Sequence, residues 1–219
     1  MPEDRRSVEI AAVYDRIAEH FAETRHHAWP EVREFLAPLD RVGVGLDLGC
    51  GNGRHAELLA GVAGTVLALD LSGGLLAEAR ARARAEGWSA TFIQGDAAAL
   101  PVAGGRVDLA VYVATLHHLR PRAARVRSLD ELARVLAPGG RALVSAWSTA
   151  HDRFDPGPDA AEGFDTTVDW TLPDGETVPR FYHIYAPAEF EADLAASALR
   201  VDEAYVSSGN CYAEVSPEQ

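Results

Sequence analysis

The 219-residue sequence predicts an α/β fold, a single domain on a seven-stranded, mostly parallel, Rossmann-like sheet with helices on both faces. Three observations lead there. From Val44 onward, short apolar runs alternate with helical patterns. The first run, Val44–Leu48, breaks into Gly49-Cys50-Gly51-Asn52-Gly53, which reads as a buried strand, a tight turn and a helix start. The second run, Thr65–Leu69, ends in the acid Asp70.

Ahead of the sheet, Ser7–Ala22 reads as an amphipathic helix with Ile10, Val13, Ile17 and Phe21 on one stripe and Ser7 as its N-cap. A second helix from about Glu31 to Leu36 stops before Pro38. The predicted strands are Val44–Leu48, Thr65–Leu69, Ala90–Gln94, Val107–Val113, Arg141–Trp147, Val201–Val206 and Cys211–Val215. Helices are expected over Arg54–Leu59, Gly73–Glu86, Arg122–Leu136 and Ala188–Ala198. Gly209-Asn210 reads as the hairpin turn joining the last two strands. Ser148–Pro179, rich in Asp, Gly, Pro and Thr, reads as a functional lid or a disordered loop. Within the single domain, 1–40 is expected to form a helical lid and 148–186 a substrate-side insertion.

The net charge of −13 comes from 33 acids against 20 bases, and every base is Arg. This balance argues against broad non-specific nucleic-acid binding but leaves room for a local basic patch. An acidic surface without Lys fits either a high-salt interior or an Arg-favouring codon bias. The run Arg80, Arg82, Arg84 reads as a solvated helix face. No run approaches the length of a membrane span, and Met1–Arg6 lacks an apolar signal region. Two cysteines, Cys50 and Cys211, make no metal or disulfide framework. These features lead to the expectation of a cytoplasmic protein.

The spacing D-x-G-x-G-x-G over Asp47, Gly49, Gly51 and Gly53 differs from the dinucleotide pattern G-x-G-x-x-G. Such a turn lets a ligand approach the main chain, and the helix start behind it favours an anionic group. An acid at the tip of the second strand can take both hydroxyls of a ribose. Together with Gly95-Asp96-Ala97 and Leu136-Ala137-Pro138-Gly139-Gly140, this arrangement resembles the S-adenosylmethionine site of class I methyltransferases. The resemblance implies the sheet order 3-2-1-4-5-7-6. It also implies the methionine end of the cofactor on Gly49, Gly51 and Gly53, Asp47 near its ammonium, Asp70 with Leu71 on the ribose, and Asp96 with Ala97 at the adenine edge.

Four further blocks narrow the resemblance. They are Tyr14–Phe21 running into Thr24-Arg25 and Trp29-Pro30, then Leu116-His117-His118-Leu119, Arg180-Phe181-Tyr182-His183-Ile184-Tyr185 and Asn210-Cys211-Tyr212. Together they resemble the tRNA wobble-uridine carboxymethyl methyltransferases, which methylate a carboxymethyl group on uridine 34. On that resemblance Arg25 and Arg180 hold the substrate carboxylate, since guanidinium grips carboxylates bidentately. His118 orients the substrate, and Tyr182 and His183 stack on or hydrogen-bond to the flipped base. Trp29, Trp147 and Tyr212 are weaker pocket candidates. Adjacent His117 and His118 are expected to point apart, so no metal is assigned to them. The family also implies tRNA as a partner and a small zinc-binding activator subunit on the edge strand Ala90–Gln94, forming a heterodimer. A small-molecule methyltransferase acting on a quinone or organic acid is the competing reading.

Overall fold

The computed structural model describes residues 2–154 and 161–218. Its strands fall in the order β3-β2-β1-β4-β5-β9-β8, with a separate two-stranded ribbon β6-β7. With the ribbon set aside, this is the expected order 3-2-1-4-5-7-6. The chain divides into two compact units, Met1–Ala97 with Val168–Arg180 and Ala98–Thr167 with Phe181–Gln219.

The first unit opens with α1 (Pro2–Thr24) and α2 (Pro30–Leu36). Ser7 is therefore not the N-cap but lies inside α1, where its hydroxyl donates to Asp96 Oδ2 at 2.6 Å. Pro30 supplies the start of α2, because its missing N–H is not needed at the first helical position. Strand β1 (Val42–Leu48) pairs in parallel with β2 (Ala63–Asp70), and β2 with β3 (Thr91–Gln94). Helix α3 (Ala56–Val62) joins β1 to β2, and α4 (Gly73–Glu86) joins β2 to β3. Ser72 caps α4 by accepting from the Leu75 N–H, and Gly87 ends it at φ 75°. On α4, Arg80 and Arg84 are exposed as expected, and Arg82 is half-buried. Arg82 pairs with Glu57 at 2.7 Å, and the Arg80 guanidinium lies 5.4 Å from the centre of the Phe92 ring.

The second unit holds β4 (Val107–Val113), a 3-10 turn (Leu116–His118), α5 (Arg122–Val135) and β5 (Leu136–Trp147). It continues with α6 (Pro187–Ala195), β8 (Leu199–Ser207) and β9 (Asn210–Pro217). β4 runs parallel to β5, while β9 lies antiparallel to both β5 and β8. The hairpin turn is Ser208-Gly209, at φ 51° and 74°, rather than Gly209-Asn210. Two left-handed residues in a two-residue loop match the strand twist, and Ser207 then faces Asn210 across the ladder.

The stretch expected to be a lid or a disordered loop holds most of a hairpin, β6 (Phe164–Thr171) and β7 (Thr177–Ile184). Positions 155–160 lie outside the described residues. The hairpin's period was present in the sequence, since Phe164, Thr166, Val168 and Trp170 alternate with Asp165, Thr167, Asp169 and Thr171. Scattered polar residues masked an alternation in which every outward position is Asp or Thr. Val168–Arg180, the turn end of the hairpin, belongs to the first unit. There Trp170 and Val178 pack with Ile17, and Val13, Tyr14, Phe21 and Leu172 surround them.

Candidate active site

In the first unit, Gly49, Gly51 and Gly53 adopt φ 74°, 53° and 80°, the left-handed backbone that favours glycine. The N–H groups of Gly49 and Cys50 both donate to Leu69 O, at 2.8 and 2.9 Å, which ties the turn to the end of β2. Asp70 reinforces this tie. Its Oδ2 accepts the Gly51 N–H at 2.7 Å and its Oδ1 accepts the Ser72 N–H at 2.9 Å. Burial pushes the Asp70 carboxyl above its ordinary range, and the backbone N–H groups of Ser72, Gly51 and Leu71 act against that. Leu71 lies between Asp70 and the cap Ser72, at the mouth of the same turn.

Asp47 is almost fully buried, at 1 % exposure, and burial raises its pKa to about 7. The Ala56 N–H supplies one hydrogen bond, but Oδ2 has no partner. A buried carboxylate oxygen without a donor is costly unless a cation arrives. This orphan oxygen fits a ligand ammonium.

Asp15 is a further polar residue of this region, and sequence reasoning assigned it no role. Its Oδ1 accepts from Ser72 Oγ at 2.5 Å and from the Gly74 N–H at 2.8 Å, so α1 holds the start of α4. His55 was missed too. Burial, with Arg54, Arg33 and Arg82 nearby, pushes its pKa well down, and its Nε2 accepts the Trp29 N–H at 3.3 Å. Asp15 stands in the Tyr14–Phe21 block quoted above, and His55 follows the glycine turn. Neither position has a local pattern that reveals its partner.

Arg25 and Arg180 share one neighbour. Each guanidinium carbon lies 4.9 Å from the centre of the Trp170 indole. Arg180 is buried and Arg25 exposed, and Arg25 forms no ion pair among the described residues. Asn52, inside the glycine turn, donates from Nδ2 to Arg25 O at 2.8 Å. The turn and the loop carrying Arg25 are thereby bonded directly.

In the second unit, His117, His118, Tyr182 and Trp147 form an aromatic group. The expectation that the two histidines point apart is overturned, because the 3-10 turn brings their rings to 4.4 Å, edge to face. Tyr182 stacks on His117 at 4.7 Å and leans on Trp147 at 4.8 Å. The Trp147 N–H donates to His117 Nδ1 at 3.1 Å, so the neutral ring carries its proton on Nε2. His118 is the opposite tautomer. Its Nδ1 lies 3.0 Å from the Phe181 carbonyl and must carry the proton, so Nε2 of the neutral ring is the acceptor. His183 departs from its expected role. Its nitrogens lie 2.7 Å from Asp165 and 2.9 Å from Glu189, which commits both to carboxylates and leaves none to bond a base. Tyr212 stacks on Tyr205 at 5.3 Å.

A family described as "Methyltransferase domain" matches residues 46–140. Three similar relatives are notable. The mouse tRNA (carboxymethyluridine(34)-5-O)-methyltransferase ALKBH8 is 37% identical over 64% of this chain and 20% of its own length. The tRNA (carboxymethyluridine(34)-5-O)-methyltransferase of Saccharomyces cerevisiae is 30% identical over 78% of this chain and 59% of its own length. The methyltransferase-family protein ECU09_1500 of Encephalitozoon cuniculi is 34% identical over 78% of each chain. The chain thus spans about a fifth of the mouse relative and under two thirds of the yeast one. Among solved structures, the CcbJ methyltransferase of Streptomyces caelestis superposes with a TM-score of 0.73 at 21% identity, over 94% of this chain and 98% of its own. A methyltransferase of Haloferax volcanii, solved in complex with the Trm112 methyltransferase activator, gives 0.67 at 17% identity, over 96% and 98%.

Proposed function

We propose, from the premise that this chain belongs to the class I S-adenosylmethionine-dependent methyltransferases of the tRNA wobble-uridine family, that it methylates the carboxylate of 5-carboxymethyluridine at position 34 of tRNA. The observation that carries this reading is the pair Arg25 and Arg180 on one indole, two cations brought together in the same compact unit as the glycine turn. The helical segment 1–40 supplies the first of them and the insertion 148–186 the second.

The chemistry asks little of a base. When bound, S-adenosylmethionine supplies an electrophilic methyl group on a sulfonium. The substrate carboxylate, with a pKa of about 4, is already ionised at neutral pH. What remains for the protein is orientation and exclusion of water. Gly49, Gly51 and Gly53 open the main chain to the methionine end, and Asp47 meets its ammonium. Asp70 with Leu71 takes the ribose, and Asp96 with Ala97 borders the adenine. Arg25 and Arg180 fix the carboxylate. In the second unit, His118 Nε2 is an acceptor beside the packed rings of His117, Tyr182 and Trp147. His183 braces β7 against α6 rather than touching substrate. The test is methyl transfer from labelled cofactor to tRNA carrying carboxymethyluridine. Transfer to that tRNA but not to unmodified tRNA is expected, and transfer only to small metabolites would point to the competing class.

The state of Asp47 makes cofactor affinity depend on pH. The acid titrates at about 7 in the free protein. An ammonium beside it favours the ionised form, so binding below that pH must expel a proton. Affinity should therefore fall by up to about tenfold per unit as pH drops below 7, and level off above it. Asp47→Asn keeps an acceptor for the Ala56 N–H and should bind weakly at every pH. Titration calorimetry from about pH 5.5 to 8.5 checks this. A flat wild-type profile removes Asp47 from the ammonium.

The unpaired side of β3 supports a partner. β3 closes one end of the sheet, and a bare edge is a template for strand addition. Trp88 and Phe92 stand beside it with ring centres 6.0 Å apart. A small zinc-binding activator subunit is the proposed occupant, giving a cytoplasmic heterodimer. Low activity of the lone chain, raised on co-expression with the activator, is the expected result. A lone chain that is soluble, monomeric and fully active excludes it.

A further inference from the structure

We propose that Trp170 is the positioning residue of the anion grip, holding Arg25 and Arg180 as one pre-formed pair. The proposal rests on the reading of those two arginines as the carboxylate-binding groups.

The geometry supports it from three sides. Both guanidinium carbons stand 4.9 Å from the ring centre, so they lie within twice that distance of each other. Like charges so placed repel, and the negative face of an indole is the neutral group best suited to hold a cation. Trp170 is itself fixed. It is 6 % exposed, packs with Ile17 and Val178, lies 5.5 Å from the Phe21 ring, and donates from Nε1 to His20 Nδ1 at 3.1 Å. Finally, the two arginines come from distant parts of the chain, the connector after α1 and the strand β7, and the indole is the partner they share. An indole carries no net charge, so unlike a carboxylate in its place it leaves the charge of each guanidinium unchanged.

The experiment uses the full chain, with its activator if activity requires it. Trp170→Leu removes the ring and should lower kcat/KM for carboxymethyluridine tRNA by about tenfold or more, chiefly through KM, with cofactor affinity unchanged. Trp170→Phe retains a π face and should recover to within about threefold of wild type. In a double-mutant cycle, Arg25→Ala with Trp170→Leu should lose less than the product of the two single losses, because the share of Trp170 that acts through Arg25 is already gone while the share through Arg180 remains. A readout free of substrate accompanies these. The guanidinium Nε–H resonances of Arg25 and Arg180, assigned through the alanine variants, should carry ring-current shifts that vanish in Trp170→Leu.

Phenylalanine and leucine variants of equal activity, additive losses in the cycle, or unshifted resonances overturn the proposal. If Arg25→Ala and Arg180→Ala both transfer normally, the grip fails and the proposal falls with it. If the arginine variants lose transfer while Trp170→Leu, still folded, does not, Trp170 alone is excluded and the grip stands.

Discussion

Arg180→Ala and Arg25→Ala are each expected to lower kcat/KM for tRNA bearing carboxymethyluridine by about 30- to 1000-fold. That range corresponds to roughly 2–4 kcal/mol, the cost of removing one partner of a desolvated charge pair. Arg180 should lie at the upper end, since it is buried and its charge is poorly screened, whereas Arg25 is exposed. Cofactor affinity should barely move in Arg180→Ala. At saturating cofactor the rate should stay nearly flat from about pH 6 to 9, because the carboxylate is already ionised there. Single-turnover transfer to modified tRNA, paired with cofactor titration, measures both. Normal transfer by both variants removes the grip. A steep rise in rate near pH 7 would instead make His118, whose Nε2 is the acceptor, a base acting on another nucleophile.

Asp70→Ala should weaken S-adenosylmethionine binding by about tenfold to more than a hundredfold, from the loss of one or two charge-assisted hydrogen bonds worth roughly 1.5–3 kcal/mol each. The structure adds a second effect. Asp70 also receives the N–H groups of Gly51 and Ser72, so the alanine leaves two backbone donors without their acceptor. The variant should therefore melt at lower temperature as well. Asp70→Asn separates the two effects only in part, since one amide oxygen can serve one of those donors while its NH2 faces the other. Calorimetry that finds unchanged affinity in a folded Asp70→Ala protein would sink the ribose assignment.

What the sequence made legible follows from how local each constraint is. The glycine turn was readable because the left-handed backbone at Gly49, Gly51 and Gly53 is a demand on single residues. The sheet order followed from the family resemblance, and the strands themselves from apolar runs that need no knowledge of their neighbours. The role of Trp170 has no local signal, because its meaning lies in Arg25, Arg180 and His20, which are distant along the chain. Asp15 and His55 were hidden for the same reason: each bonds a backbone group of an element far away in sequence. Ser7 shows the converse error. A good capping residue in a suitable place was drawn instead into a contact with Asp96. His183 stands apart from the role expected of it, because two carboxylates that sequence cannot place beside it take both of its nitrogens.

The contact between Trp88 and the glycine turn has a spectroscopic consequence. A methyl group at Gly53 would stand 3.0 Å from Trp88 Cη2, so the indole lies flush against the turn backbone, and its other neighbour is Phe92 of the edge strand. One chromophore thus touches both the proposed cofactor loop and the proposed docking edge. In a variant with Trp29, Trp147 and Trp170 replaced by Phe, the emission of Trp88 becomes a two-channel reporter. Its quenching on cofactor addition and its wavelength shift on seating of a partner strand could be followed in one cuvette, with no label attached.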